Sequence, residues 1–414
     1  MLGTILKSIV HKGRVTLIRP GRAPKTAGAG EPHLTVRLHD RKAEWEMATR
    51  PELKLGELYM DGRLTVEGGD IADLLNLLMM NMGNGKLGWW VRLHHWRRRV
   101  LRPLSQFNPA TRAKAHVAHH YDLAASLYDV FLDRDKQYSC AYFSHPNETL
   151  DEAQVGKKRH LAAKLYLNKP GLKVLDIGSG WGGLALDLAR DCGADVLGVT
   201  LSEEQIAIAR NRAKSAGLAA RCKFELIDYR ALNGTFDRIV SVGMLEHVGA
   251  PYYPAFFAKL DRLLAEDGVA VLHFIGRSDG PGATNPWIAK YIFPGGYVPA
   301  LSEITPVIER SGLIVTDIEV LRLHYAQTLK EWRHRFMARR DDVARLYDER
   351  FCRMWEFYLC GAEMAFRHEK QVIFQIQLAK KIDALPLTRD YMVEAERTMK
   401  FAGTEQMPKP RQVA

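Results

Sequence analysis

Apolar and polar positions change rhythm along this chain, and each change predicts a different element. Leu34, Val36 and Leu38 alternate with polar neighbours, the period-two signature of a half-buried strand. Asp61-Gly62 marks a tight turn before Leu64-Thr65-Val66. Asp70 then precedes Ile71, Leu74, Leu75, Leu78 and Met79, a spacing that lays one apolar stripe along an N-capped helix. The stretch Arg19 to Gly30 is basic, carries Gly, Ala and Pro, and reads as a loop. Together these segments predict a small α/β domain.

From Leu172 the pattern becomes an alternation of strands and helices. Lys173–Ile177 reads as a strand, the segment after Trp181 as a helix, Ala194–Val199 as a second strand and Ser202–Ala216 as a helix. Phe224–Ile227, Asp237–Val242 and Gly268–Ile275 supply further short β-rich runs. Strands spaced by helices in this way predict a mainly parallel, doubly wound sheet.

Composition narrows the class but not the chemistry. With 414 residues, 47% hydrophobic and 26% charged, the chain is long enough for one large α/β domain and a smaller one. The five cysteines are scattered without metal-ligand or paired spacing, so neither a zinc site nor a disulfide framework is indicated. The N-terminus lacks a signal-peptide pattern, and the strongest apolar stretch, Ile71 to Met82, is broken by Asp73 and Asn76; a cytoplasmic protein is expected. A net charge of +11 points to an anionic partner, with nucleic acid, a membrane surface and an acidic soluble substrate all open. Residues 86–116 sharpen this, because Trp89, Trp90 and Trp96 interleave with Arg92 and Arg97–Arg99. Such a run is either a solvated linker helix with aromatic anchors or a contact with anionic lipid headgroups.

The strongest local chemistry is Val174-Leu-Asp-Ile-Gly-Ser-Gly-Trp-Gly-Gly183, where Gly178, Gly180 and Gly183 follow a strand and open a helix. Glycines let the backbone turn tightly and approach a nucleotide-like ligand, a spacing that also fits dinucleotides. Asp176, at the end of the first strand, fits the S-adenosylmethionine form of the turn. A nicotinamide enzyme would want a ribose-binding acid after the second strand, where this chain has Thr200-Leu201-Ser202.

Other segments fall into order around that turn: His120-Tyr-Asp-Leu, Gln137 to Phe143, Gly198 to Gln205, Asp237 to Val248, Leu272 to Gly276, Pro294 to Pro299, Tyr325 to Trp332 and Ala365-Phe-Arg367. On these residues the chain resembles the cyclopropane-fatty-acyl-phospholipid synthases and the related mycolic acid cyclopropane synthases, over about residues 45–380. Leu55 to Gly62 looks like that family's lipid-associated domain. The resemblance implies an N-terminal lipid- or membrane-associated domain at 1–100, a linker at 101–125, a Rossmann-like S-adenosylmethionine-dependent methyltransferase domain at 126–400 and a tail at 401–414.

It also implies a reaction. An acyl-chain double bond of a membrane phospholipid attacks the methyl of S-adenosylmethionine, and the resulting cation loses a proton from the new methyl to bound bicarbonate and closes to a ring. Cys140, Glu246, His273, Ile275 and Tyr325 match the bicarbonate site: His273, Tyr325 and the amides near Cys140 and Ile275 as donors, Glu246 as acceptor. Singly, each has a plainer reading: a core histidine, a helix-start acid, a packing tyrosine, a small buried thiol. Their joint occurrence in order is what carries weight. For the cofactor the resemblance points to Tyr138, Ser139, Asp176, Gly178, Ser179, Gly180, Trp181, Gly182, Thr200, Leu201, Ser202, Gln205 and His247. It adds Tyr229 and Arg230 near the adenine, Arg230 departing from an aromatic–acid pattern of some relatives. No metal is implied. Phe351, Trp355, Tyr358, Ala362, Ala365 and Phe366 fall near helical spacing, as a core face or as a wall for a long acyl chain.

The implied partners are membrane phospholipids at an anionic surface, on the inner face of the cell membrane, with no nucleic acid and with room for a homodimer. Methylation without ring closure is the nearest rival. A nucleic-acid methyltransferase lacks support from any Asn-Pro-Pro-Tyr-type motif after the central sheet, and a non-catalytic lipid carrier would not need the cofactor turn.

Overall fold

The computed structural model describes residues 2–83 and 125–401. The basic aromatic run at 86–116, His120-Tyr-Asp-Leu, most of the expected linker and nearly all of the expected tail lie outside the described residues.

The chain opens with α1 (Leu2–Ile9), β1 (Gly13–Arg19), β2 (Arg22–Ala29) and β3 (His33–Leu38). Then come α2 (Arg41–Thr49), α3 (Pro51–Met60), β4 (Leu64–Glu67) and α4 (Ile71–Gly83). The four strands form a sheet in the order β2-β1-β3-β4, parallel between β1 and β3 and antiparallel elsewhere. Leu34, Val36 and Leu38 point to the core as their alternation requires. Asp70 caps α4, accepting from Asp73 N at 2.9 Å. The expected loop at Arg19–Gly30 is instead the β1–β2 hairpin. β2 is an edge strand on which only Ala27 is buried, so it carries no apolar alternation to betray it. Its antiparallel ladder to β1, not side-chain burial, defines it.

The doubly wound part follows. It comprises α5 (Ala125–Phe131), α6 (Leu150–Lys164), β5 (Lys173–Ile177), α7 (Gly183–Asp191), β6 (Asp195–Thr200), α8 (Glu203–Ser215), β7 (Cys222–Leu226) and β8 (Phe236–Val242). It continues through α9 (Tyr253–Leu263), β9 (Leu264–Arg277), α10 (Pro286–Tyr291), α11 (Leu301–Glu309) and β10 (Ile314–Leu321). The last elements are α12 (His324–Ala338), α13 (Arg340–Leu346), α14 (Glu349–His368), β11 (Gln371–Ala379) and α15 (Asp390–Thr398). Seven strands pair in the order β10-β11-β9-β8-β5-β6-β7. The five from β7 to β9 run parallel, and β10 pairs antiparallel with β11. Val174, Val196, Val240 and Val271 from four of these strands are buried with Leu186, Leu188, Ile206 and Phe224. Such valine-rich strands, covered on both faces, are what a parallel sheet demands.

Strand order reverses between β5 and β8. The crevice beyond the carboxyl ends of these strands is where an open α/β sheet binds ligands. The glycine turn after β5, Gly243–His247 after β8 and His273–Ile275 in the last part of β9 all belong to that edge.

Two compact units share the chain. One takes the described residues of Met1–Asn108 with Gly276–Ala300 and Tyr325–Val372; the other takes those of Pro109–Ile275 with Leu301–His324 and Ile373–Ala414. Among the described residues, no helix is long and apolar enough to cross a membrane.

Candidate active site

The turn after β5 is built for close approach. Gly178 and Gly182 adopt φ of 84° and 83°, where an L side chain is strained. A Cβ on Gly182 would lie 2.6 Å from the Phe224 ring, so the position is closed to side chains twice over. The Gly178 and Ser179 amides both donate to the Val199 carbonyl, at 2.9 and 3.0 Å, tying the turn to the end of β6. Beside it, the Thr200 hydroxyl donates to Gln205 Oε1 at 2.9 Å, and Ser202 Oγ caps α8 by accepting from Gln205 N. Leu201 lies between them, half-buried.

Ser179 Oγ and Trp181 Nε1 are buried without a partner among the described residues. Unmatched buried polar atoms in a glycine turn call for a polar ligand, and a nucleoside-bearing cofactor such as S-adenosylmethionine fits that demand. The Trp181 ring lies 4.9 Å from Tyr128, which meets Tyr138 edge-on at 5.3 Å. Asp176 is buried within β5, and burial pushes its carboxyl up to about 7 against the pull of Lys157.

Gln137 and Ser139, on either side of Tyr138, are gripped from α6. Gln154 Nε2 donates to the Gln137 and Ser139 carbonyls at 3.2 and 2.9 Å. Lys157 Nζ donates to Gln137 Oε1 and Ser139 Oγ, each at 2.7 Å. Lys157 is fully buried, and burial lowers its pKa to about 8, opposed by Asp133. Neither Gln154 nor Lys157 stands in a recognisable motif, which is why sequence reasoning passed over both.

The pair expected near the adenine lies on a single 3-10 turn after β7. Tyr229 packs edge-on against Phe256, with ring centroids 5.5 Å apart. Arg230 is exposed and folds back onto Asp228, its Nε donating at 2.8 Å. An acid, Asp228, thus stands directly before the aromatic residue and holds Arg230.

A second cluster joins the ends of β8 and β9. Glu246 and His247 lie on a single 3-10 turn after β8. Glu246 Oε1 accepts from the Ile275 amide at 2.6 Å, while Oε2 is buried with no partner among the described residues. Burial pushes this carboxyl up to about 7, with the Ile275 hydrogen bond opposing. His273 is 2% exposed. Its Nδ1 lies 3.1 Å from Gln375 Nε2 on β11, and its Nε2 has no partner among the described residues. Burial, then the nearby Lys157, Lys164 and His160, hold the imidazole well below its ordinary pKa, so it is neutral. Cys140 is buried, its thiol donating to the Ala141 carbonyl at 3.2 Å.

Among the described residues, Glu246 thus presents one unmatched carboxylate oxygen and His273 one unmatched ring nitrogen, both buried. Bicarbonate carries an acceptor oxygen and a donor hydroxyl and fits such a pair. Tyr325 belongs to the other compact unit, its ring 4.9 Å from Phe366 and 5.8 Å from Trp332. It directly follows His324, whose Nδ1 accepts from the Phe143 amide at 3.0 Å and whose ring stacks on Tyr142.

A glycine turn at the switch point of this sheet, with its aromatic and polar surround, defines an S-adenosylmethionine-dependent methyltransferase. Residues 108–376 match the mycolic acid cyclopropane synthetase family, and the chain belongs to it. A probable fatty acid methyltransferase of Pseudomonas putida is 42% identical over 288 residues, 67% of this chain and 73% of that protein. The cyclopropane-fatty-acyl-phospholipid synthase of Escherichia coli K12 is 37% identical over 335 residues, 80% of this chain and 84% of that one. Among solved structures, the mycolic acid cyclopropane synthase CmaA1 complexed with SAH and CTAB superposes with a TM-score of 0.61 at 31% identity. The match covers 66% of this chain and 99% of that one.

Proposed function

We propose that this methyltransferase converts a double bond of an unsaturated phospholipid acyl chain to a cyclopropane, with Glu246 and His273 holding a bicarbonate base. The observation that carries this is a complementary pair of buried atoms without partners among the described residues, the acceptor Glu246 Oε2 after β8 and the ring nitrogen His273 Nε2 on β9. Plain methyl transfer to a nucleophile with its own lone pair needs no such anion site; proton removal from a transferred methyl does.

S-adenosylmethionine, held by Tyr138, Ser139, Asp176, Gly178–Gly182, Thr200–Ser202, Gln205, Tyr229 and His247, supplies an electrophilic methyl. Asp228 is the acceptor best suited to an adenine amino group, and Arg230 fixes its carboxylate. Bicarbonate supplies the base. On this reading His273 Nε2 and the Tyr325 hydroxyl would donate to it and Glu246 Oε2 would accept its proton. The Cys140 segment, clamped by Gln154 and Lys157, and Ile275, clamped to Glu246, set the walls. Burial matters because water would trap an alkyl cation as an alcohol before it could close.

On the substrate side α14 carries a ladder of rings: Phe351 to Trp355 at 5.9 Å and Trp355 to Tyr358 at 5.3 Å. Such π faces suit both an acyl chain and a passing cation. We assign 1–100 as the lipid-associated segment, 101–125 as linker and 126–400 as the catalytic segment. The +11 charge supports peripheral docking on the anionic inner face of the cell membrane.

Methylation without ring closure is the second reading, favoured by the 42% identity to a probable fatty acid methyltransferase. Purified protein, vesicles of unsaturated phospholipid and methyl-labelled S-adenosylmethionine should give label in the phospholipid fraction, at a rate that falls when bicarbonate is stripped from the buffer. Label transfer indifferent to bicarbonate would remove the base from this account.

A further inference from the structure

We infer that Gln375 is a positioning residue that fixes His273 in the Nε2-protonated tautomer, and so decides whether the anion site has a donor at all. This rests on the bicarbonate reading above for its purpose, but not for its geometry.

Gln375 sits on β11, the neighbour of β9 in the sheet, and is 1% exposed. Its amide nitrogen is 3.1 Å from His273 Nδ1. An amide nitrogen only donates, so Nδ1 must accept and the single proton of a neutral imidazole resides on Nε2. That nitrogen is the one with no partner among the described residues. The ring cannot escape by taking a second proton, because it is buried beside Lys157, Lys164 and His160.

The opposite orientation of the amide would present Gln375 Oε1 to an Nδ1 proton. His273 Nε2 would then be a lone-pair acceptor, alongside the acceptor Glu246 Oε2. Two acceptors cannot both engage bicarbonate, which has one proton to give. Only the observed orientation makes a matched donor and acceptor. Its cost is that Gln375 Oε1 is itself buried without a partner among the described residues, an acceptor stripped of water with nothing in exchange. A residue selected for packing alone would not need to carry it, since a buried apolar side chain of the same length fills the space.

The test is the protonation pattern of His273, read by long-range nitrogen–carbon-proton NMR on protein labelled at histidine, with the resonance assigned by its loss in His273→Asn. Wild type should give the Nε2-protonated pattern, unchanged across neutral pH. Gln375→Glu places a carboxylate at Nδ1, and the proton should move to Nδ1; Gln375→Met should leave a mixture of tautomers. In both variants kcat should fall about 10–100-fold, the usual cost of losing a residue that orients a reacting group, with the Kd for S-adenosylmethionine within about twofold of wild type. An Nδ1-protonated wild type would overturn the inference without any variant being needed. So would a Gln375→Glu protein that loses turnover while His273 keeps its Nε2 proton, since Gln375 would then act only through packing. The predicted tautomers with turnover indifferent to bicarbonate would leave the lock standing and remove the base it was assigned to serve.

Discussion

Glu246 carries two consequences that can be separated by pH. Its assigned task is to hold the base, so Glu246→Gln should lower kcat by about 100-fold or more, as for loss of a group acting on proton transfer. Affinity for S-adenosylmethionine, measured by calorimetry, should stay nearly unchanged. An equal loss of cofactor affinity would move Glu246 into the cofactor site. Stability should respond in the other direction. The folded carboxyl titrates near 7, above its unfolded value of 4.5, because burial disfavours the charge. Its contribution is therefore complete below pH 4.5 and is lost as pH rises through 7, on the order of 3 kcal/mol at about 1.4 kcal/mol per pH unit. In denaturant titrations without ligand, Glu246→Gln should gain on wild type between pH 5 and pH 8. The glycine turn offers a second residue-level check. Gly182→Ala forces a Cβ into a positive-φ position 2.6 Å from Phe224. It should destabilise the protein by about 1–2 kcal/mol from backbone strain alone and weaken S-adenosylmethionine binding. Unchanged melting and affinity would show that the turn has slack that its packing denies.

Among the elements, α6 does the most with the least advertisement. Its apolar moment is weak because Gln154, Lys157, Lys158, His160 and Lys164 are all buried on it. Thr149 and Glu152 close a capping box at its start, which fixes where that polar face begins. Lys157→Met keeps the volume and removes the donor to Gln137 and Ser139. The Kd for S-adenosylmethionine should rise roughly 10-fold, the scale of one lost charged hydrogen bond; an unchanged Kd would mean Gln154 alone suffices. This helix also marks the limit of what the sequence made legible. Strands β5 to β9 and the turn after β5 could be read from apolar runs and glycine spacing. The catalytic candidates could be read because they fall in an ordered family pattern. β2 could not, because an exposed edge strand has no buried face to print a period. Gln375 and Lys157 could not, because a lone polar residue in a buried run looks like noise until its partner is seen across the sheet or the loop.

For the whole molecule, the fold and family establish the methyl donor, while the fate of the methyl rests on a handful of buried atoms. Ring closure requires that a proton leave the transferred methyl. The open products arise when a proton leaves the chain, when the cation is reduced, or when, after a hydride shift, the methyl loses its proton to leave an exo-methylene. The two outcomes separate when S-adenosylmethionine carries a trideuterated methyl and full-length protein acts on vesicles of a defined mono-unsaturated phospholipid. Mass, proton and carbon spectra of the product lipid should show two deuteriums gained per acyl chain modified, cyclopropane ring protons and no alkene carbon from that chain. A product that keeps all three deuteriums, or keeps an alkene, would contradict ring closure at the Glu246–His273 site.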